Sequence, residues 1–401
     1  MRPDVFGELV SFDEALRRAL AAARPIARRE TTSLADARDR VVATAVIATL
    51  DVPPFDRSAM DGYAIRATDL PAAGGPTTLP CVDRIFTGEV SRRVLGEGEC
   101  IEISTGAPMP AGADAVVMVE RTTRSGDQVT FAGRAAVGQN IGRRGADLRA
   151  NQAIVHPGDV LTPARIGALA AAGVTNVEIF ERPTVAIVST GNEVTSPGDA
   201  LPPGHVYDVN RFTLRAVAED HGCTAVLTPR VGDVIEDLVH ALRAAATHDV
   251  IVCSGGSSVG GRDLLVDAVR ALGSIVFHGV AMKPGKPTLL GSIDATPVFG
   301  MPGNPTSCLS NAYLLLMPFL RATARLPPWR PMRLTLPLAS DIRASSDRHQ
   351  FFTVRIADGA VQPAFKSSGD ITSMAAADGY IEIPVGTASL SAGTSVVVTL
   401  F

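Results

Sequence analysis

Asp249-Val-Ile-Val-Cys-Ser-Gly-Gly-Ser-Ser-Val-Gly-Gly-Arg-Asp263 is the stretch that decides how the chain is read. Val250 to Cys253 is a short apolar run, as a strand buried on both faces of a parallel sheet requires. Ser254 to Gly261 then breaks into a loop of small residues, Asp263 follows, and 264–272 has helical patterning. Strand, glycine loop and helix in that order place a site at the carboxyl ends of parallel strands. Glycines let the backbone turn tightly and approach a ligand, and exposed loop amides hold an anion. Val185-Ala-Ile-Val-Ser-Thr-Gly191 repeats the grammar, with Glu193 two residues on. Either segment alone reads equally as an ordinary strand-to-helix turn. Two of them, each followed by an acid, favour a polar ligand crevice.

Working outward, strands are expected at 185–189, 224–228, 250–253 and 274–280, with helices at 210–221, 234–246 and 264–272. A hairpin pair at 288–291 and 297–300 and an apolar helix at 305–320 complete the unit. Strands alternating with helices at this spacing predict a three-layer α/β domain with a mostly parallel sheet over 183–325. Leu326-Pro-Pro-Trp-Arg-Pro331 is a linker, and 330–401 reads as a small C-terminal β-barrel-like domain. Its polar segment Phe365 to Ala375 is a candidate loop reaching a ligand.

Towards the N-terminus, 11–22 reads as an amphipathic helix with Ser11 and Glu14 as a capping box. A second helical pattern runs from 34 to 46, and a third, 160–172, has Thr162 as N-cap and Pro163 at its first position. These predict a helical arm for dimerisation over 1–47 and 148–182, with an inserted β domain at 48–147. That insert opens with Pro53-Pro-Phe-Asp-Arg-Ser-Ala-Met-Asp-Gly-Tyr-Ala64, where the prolines forbid a regular element. Asp56 reads as a structural acid and Asp61 as the better site candidate.

The composition excludes several classes. The 401 residues are 46% hydrophobic and 19% charged, with a formal net charge of −4, which gives no general drive toward nucleic acid. No apolar run reaches the roughly 18 residues of a membrane span. The opening Met-Arg-Pro-Asp-Val-Phe-Gly-Glu has no apolar signal core, so a cytoplasmic protein is expected. The five cysteines at 81, 100, 223, 253 and 308 are not spaced as a metal knuckle or redox pair. Dinucleotide and ordinary ATP-loop fingerprints are missing.

Several groups point to anion holding with metal assistance. Met282-Lys-Pro-Gly-Lys-Pro287 sets two lysines around a turn after a buried strand, which is either a solvated basic turn or an anion site. Phe299-Gly-Met-Pro-Gly-Asn-Pro-Thr-Ser307 orders a turn before a helix, so Gly303, Asn304 and the following hydroxyls either cap that helix or offer its N-terminus to an anion. Glu193, Asp233 and Asp263 follow strands, and carboxylates suit Mg²⁺ shared with substrate phosphate. Asp233 reads equally as a helix cap. His278 is expected to be buried and satisfied. Arg143-Arg-Gly-Ala-Asp147 is either a solvated turn or an oxyanion clamp.

These stretches, taken together, closely resemble the molybdopterin molybdenumtransferase family, which includes the E domain of gephyrin. The resemblance is carried by 53–64, Thr105-Gly-Ala-Pro-Met-Pro-Ala-Gly-Ala-Asp-Ala-Val-Val-Met-Val-Glu120, Ser189-Thr-Gly-Asn-Glu193 and Tyr207-Asp-Val-Asn-Arg211. It continues through 254–263, 282–287, Met301-Pro-Gly-Asn-Pro305, Ser367-Ser-Gly369 and 373–379, so it spans essentially the full chain. It implies an enzyme that takes adenylylated molybdopterin and molybdate, uses Mg²⁺, and yields molybdenum cofactor and AMP. It also implies an elongated four-domain protomer that forms a homodimer, with a molybdopterin adenylyltransferase and molybdoenzyme acceptors as partners and neither nucleic acid nor membrane. By position, the family's functional residues fall on Asp61, Thr105, Glu193, Asp233, Asp263, Lys283 and Lys286. Ligand binding is expected at Arg143, Asp147, Ser254, Gly255, Gly256, Ser257, Gly303, Asn304, Ser367 and Ser368, with Glu193 and Asp263 as metal ligands.

The chain departs from the family's pattern at Gly142-Arg-Arg-Gly-Ala-Asp147, where one arginine and one carboxylate are replaced, and at Gly261, where an acid is common. The alternatives set against the transferase are the related adenylyltransferase step using ATP and a non-catalytic molybdopterin-binding scaffold.

Overall fold

The computed structural model describes residues 9–255, 263–344, 347–367 and 369–401. The chain divides into two compact units: Thr31–Ile179, and Phe180–Phe401 together with the residues up to Glu30.

The larger unit is built on a six-stranded sheet. Its strands are β1 (Thr184–Ser189), β2 (Thr224–Leu227), β3 (Val250–Ser254), β4 (Gly273–His278), β5 (Leu289–Ile293) and β6 (Thr296–Met301). They lie in the order β2-β1-β3-β6-β5-β4. The first four in that order are parallel, and β5 and β4 are antiparallel to their neighbours. The β5–β6 hairpin turns on Asp294 and Ala295, at φ +46° and +76°, as a two-residue loop that follows strand twist requires.

Successive residues of the central strands point to opposite faces, and both faces are apolar because both are covered. Val185, Ile187, Val250, Val252, Phe299 and Met301 form one core. Ala186, Val188, Ile251, Cys253 and Val298 form the other. On the first face lie α1 (Phe12–Ala22), α2 (Asn210–Asp220) and α5 (Pro305–Asn311), the last continued by a π turn and α6 (Met317–Thr323); on the second lie α3 (Ile235–Ala245) and α4 (Leu264–Leu272). The expected single helix over 305–320 is interrupted at Ala312–Leu316 by that π turn. Pro318 follows directly, and a residue without an N–H breaks the ordinary ladder.

Helix α1 buries Ala15 and Ala19 in the first core, so residues expected in the arm pack against the α/β sheet's own helices. Half of the expected capping box is present: Ser11 Oγ accepts the Glu14 N–H at 3.2 Å. Glu14 instead turns to Arg17 and Arg18, whose hydrogen bonds draw its pKa down to about 2.

After the linker, strands Arg333–Pro337, His349–Ala357, Gly379–Ile383 and Ser395–Leu400 form the C-terminal sheet. The two-residue strand Met282–Lys283 adds to its edge, parallel to His349 and Gln350. The lysine turn is thus held by two sheets.

In the other unit, Gly62–Ile65, Pro76–Ile85, Cys100–Ile103, Ala115–Met118, Thr122–Ser125 and Gln128–Ala132 form a six-stranded sheet. Helix Pro163–Ala171 begins as expected, with Thr162 Oγ1 accepting the Arg165 N–H at 3.4 Å. The expected helix over 34–46 does not form: Leu34–Asp36 is one 3₁₀ turn, and Asp39 has φ +60°. Val41, Val42, Thr44 and Val46 are β-branched and favour extended backbone, and Val41 and Val42 are buried in that conformation.

Candidate functional site

β1, β3 and β6 end level, with Ser189 opposite Ser254 and Ser254 opposite Met301. Beyond these ends lies a cleft of about 850 Å³, the place where open α/β sheets bind ligands. Ser254 and Gly255 line it from β3 and Glu193 from the loop after β1. Gly255 has φ +89°, and a Cβ there would come within 2.6 Å of the Thr190 carbonyl oxygen. Glycine is therefore required at the close crossing of the two loops.

Lys286, Gly303 and Asn304 face the same cleft, as does Ser307 in the first turn of α5. The Lys283–Lys286 turn has a rigid support. Asn311, fully buried on α5, donates from Nδ2 to the Gly285 carbonyl at 2.9 Å and also bonds Thr288. Lys283 is half-buried in the strand that pairs with Gln350.

The C-terminal segment reaches this place. Thr306 Oγ1 on α5 donates to the Asp370 carbonyl at 2.9 Å, and Gly369 and Ile371 line the cleft. Ser367 donates to Asp370 Oδ2 at 2.7 Å. Gly256, Ser257 and Ser368, expected at the ligand, lie outside the described residues.

Two of the expected acids are committed to other groups. Asp263 caps α4, with Oδ1 accepting the Val266 N–H at 3.2 Å, while Oδ2 lies 3.3 Å from His278 Nε2. Asp233 does not cap α3, whose N-cap position is Val234. Its backbone N–H and Oδ2 instead make a reciprocal pair with Asn192, at 3.2 Å each, beside Glu193.

In the Thr31–Ile179 unit, Asp61 and Thr105 come together across 44 positions, the carboxylate accepting the Thr105 N–H at 2.7 Å. Arg143 pairs with Asp56 at 2.7 Å. The Arg144 N–H and the Arg143 guanidinium together hold Asp56 below the usual carboxylate range. Asp51, below its usual range through the Ala150 N–H and Arg144, braces the same turn. The structural reading of Asp56 holds, and Arg143 has a carboxylate partner that local sequence did not reveal. Asp147 is exposed on that turn.

Sequence reasoning passed over two lining residues, Asp208 and Asn210. Asp208, 4% exposed, accepts the Ser189 hydroxyl at 2.5 Å. Asn210 donates to the Gly303 carbonyl at 2.8 Å and ties α2 to the turn before α5. The signal was Asp208-Val-Asn210 immediately ahead of a helix, which is indistinguishable locally from a capping segment.

Among the described residues no three His, Cys, Asp or Glu side chains form a ready cage for a divalent ion. Mg²⁺ keeps several waters and commonly takes one or two carboxylates plus substrate phosphate. The exposed Glu193 carboxylate on the cleft wall fits that pattern.

Family models match along the chain: the MoeA N-terminal region (domain I and II) over 10–173, a probable molybdopterin binding domain over 186–322, and the MoeA C-terminal region (domain IV) over 335–401. A molybdopterin molybdenumtransferase 2 of Mycobacterium tuberculosis is 35% identical, covering 94% of this chain and 95% of its own. A molybdopterin molybdenumtransferase of Staphylococcus aureus is 30% identical, covering 92% and 90%. The crystal structure of a molybdopterin biosynthesis MoeA protein from Pyrococcus horikoshii superposes with a TM-score of 0.83 at 35% identity, covering 98% of this chain and 99% of that one.

Proposed function

The chain belongs to the molybdopterin molybdenumtransferase family of molybdenum cofactor biosynthesis, and from that premise we propose that it inserts molybdenum from molybdate into adenylylated molybdopterin, releasing AMP. The observation that carries this reading is the composition of one cleft. Lys286, the first turn of α5 and an exposed Glu193 share a space of about 850 Å³, large enough for a nucleotide-sized ligand.

The chemistry follows from charge placement. Cleavage at an activated phosphoryl group needs positioned charge more than a nucleophilic side chain. Lys286 and the amides opening α5 hold the phosphate oxygens and favour the charge that develops on them. A pyrophosphate beside Glu193 is repelled unless a cation intervenes, so Glu193 is assigned to hold Mg²⁺, which when bound supplies Lewis-acid polarisation of the phosphate. Asp233 and Asn192 fix the loop that presents Glu193. Asp263 and Lys283 are assigned to the same reaction, as are Asp61, Thr105, Arg143 and Asp147 in their own unit. The four-domain division, a homodimer and a cytoplasmic location are part of this proposal, the first two supported by the family resemblance.

The test supplies purified protein with adenylylated molybdopterin, Mg²⁺ and molybdate, and measures AMP and active cofactor. Molybdate-dependent AMP release with active cofactor is expected. Unchanged adenylylated molybdopterin refutes the assignment. Sedimentation equilibrium at micromolar concentration is expected to give twice the chain mass, and a monomer throughout refutes the dimer.

A further inference from the structure

The cleft carries a second chemical character that the anion-holding residues do not use. Asp208 is 4% exposed and still lines it. Its Oδ2 accepts the Ser189 hydroxyl at 2.5 Å, and its Oδ1 accepts the Arg211 backbone N–H at 3.1 Å. An ionised carboxylate has about four lone-pair positions, so these two bonds leave acceptor capacity. Two residues on, Asn210 is 7% exposed and lines the same cleft. Its Nδ2 donation to the Gly303 carbonyl fixes which way the amide points, and among the described residues its Oδ1 has no hydrogen-bond partner. A buried acceptor is costly to leave unmade.

Two buried acceptor-bearing residues on one cleft wall are a poor place for phosphate, which brings only acceptors and negative charge. The anionic part of a ligand belongs with Lys286 and the start of α5. What suits Asp208 and Asn210 is a neutral group that presents N–H donors. The neighbouring walls, Val194, Val206, Tyr207 and Ile371, offer apolar faces to a flat ring.

We infer that Asp208, assisted by Asn210, reads the N–H edge of a flat 2-amino-4-oxo heterocycle, the pterin end of the substrate. The inference rests on the molybdopterin reading above and adds which residues orient that substrate. Ser189 is a positioning residue, since its hydroxyl holds the carboxylate.

The probes are pterin and pteridin-4-one, which lacks the 2-amino donor, with binding followed by the ring's own fluorescence. Wild-type protein is expected to prefer pterin by about tenfold or more, because a site built to hydrogen-bond a donor rejects the analogue lacking it. Asp208→Asn replaces an acceptor oxygen with an amide NH₂ and is expected to reduce that preference to about threefold or less. Pyrophosphate affinity in Mg²⁺ is expected to stay within about twofold of wild type, as the removed carboxylate is not its ligand. Asp208→Ser is read in the same way if Asp208→Asn does not fold. Equal binding of the two rings by wild type, or a folded Asp208 variant that keeps the preference, overturns the inference. Turnover of adenylylated molybdopterin by wild type in those cases leaves the substrate reading standing. Failure of both ring binding and turnover overturns both.

Discussion

Gly285→Ala is expected to damage the protein far more than its size suggests. Gly285 has φ +104°, and a Cβ built there lies 2.1 Å from Asn311 Oδ1 and 2.4 Å from Asn311 Cγ. Asn311 cannot swing aside, because it is fully buried and its Nδ2 holds the Gly285 carbonyl and Thr288. Moving a non-glycine residue into this backbone region costs on the order of 1 kcal/mol. Displacing Asn311 loses bonds of about 0.5–1.5 kcal/mol each and strands buried polar groups at a further ~1–3 kcal/mol. The total is on the order of 3–7 kcal/mol, in the range reserved for a few severe mechanisms. Urea unfolding followed by circular dichroism reads it as an earlier transition for the unit that carries the turn. A double-mutant cycle isolates the cause: Asn311→Ala removes the obstructing side chain, so the double variant is expected to cost at least about 1 kcal/mol less than the two single losses added. A Gly285→Ala protein within about 1 kcal/mol of wild type, or strict additivity in the cycle, refutes the reasoning.

Lys286→Ala and Lys283→Ala are each expected to weaken pyrophosphate binding by about 1–3 kcal/mol while the fold survives, as removal of a charge-assisted contact should; calorimetry that finds wild-type affinity in both returns the pair to a solvated turn. Asp263→Asn should leave the helix start intact, because asparagine caps as well as aspartate. Asp263→Asn is expected to lower AMP release, and Glu193→Gln to release little AMP and to need more Mg²⁺; wild-type release by Glu193→Gln across an Mg²⁺ titration would remove the metal-assisted mechanism. Burial, aided by Arg321, pulls His221 from 6.5 down to about 4. Between those values the unfolded chain takes up the proton that the folded chain refuses, so stability falls as pH drops through that window and no further below about 4. The loss, on the order of 3 kcal/mol, should be absent in His221→Gln; equal urea stability of wild type at pH 7 and pH 4.5 would contradict it.

The sequence by itself determined the α/β sandwich, because the information is local. Val185 to Ser189 and Val250 to Cys253 are uninterrupted apolar runs, readable without knowing what covers them, and the glycine loops after them mark the carboxyl edge where the cleft lies. The placement of Glu193, Ser254, Gly255, Lys286, Gly303 and Asn304 on one cleft follows from that topology. The 34–46 segment shows the limit: helical spacing was present, but β-branched residues in an extended, buried setting prevailed.

Only the tertiary structure decided which side chains meet. Asp56 holds Arg143 across 87 positions, and Asn311 clamps Gly285 across 26. Asp208 reaches Ser189 only because the chain after β1 returns to the sheet edge. Asp263 meets His278 only because β4 runs antiparallel beside β5 on the same sheet. Propensity and periodicity act between near neighbours, whereas these contacts depend on strand order, register and the seating of one helix end against a distant loop. A carboxylate after a strand therefore looks alike in sequence whether it caps a helix, as Asp263 does, or stands open on the cleft wall, as Glu193 does.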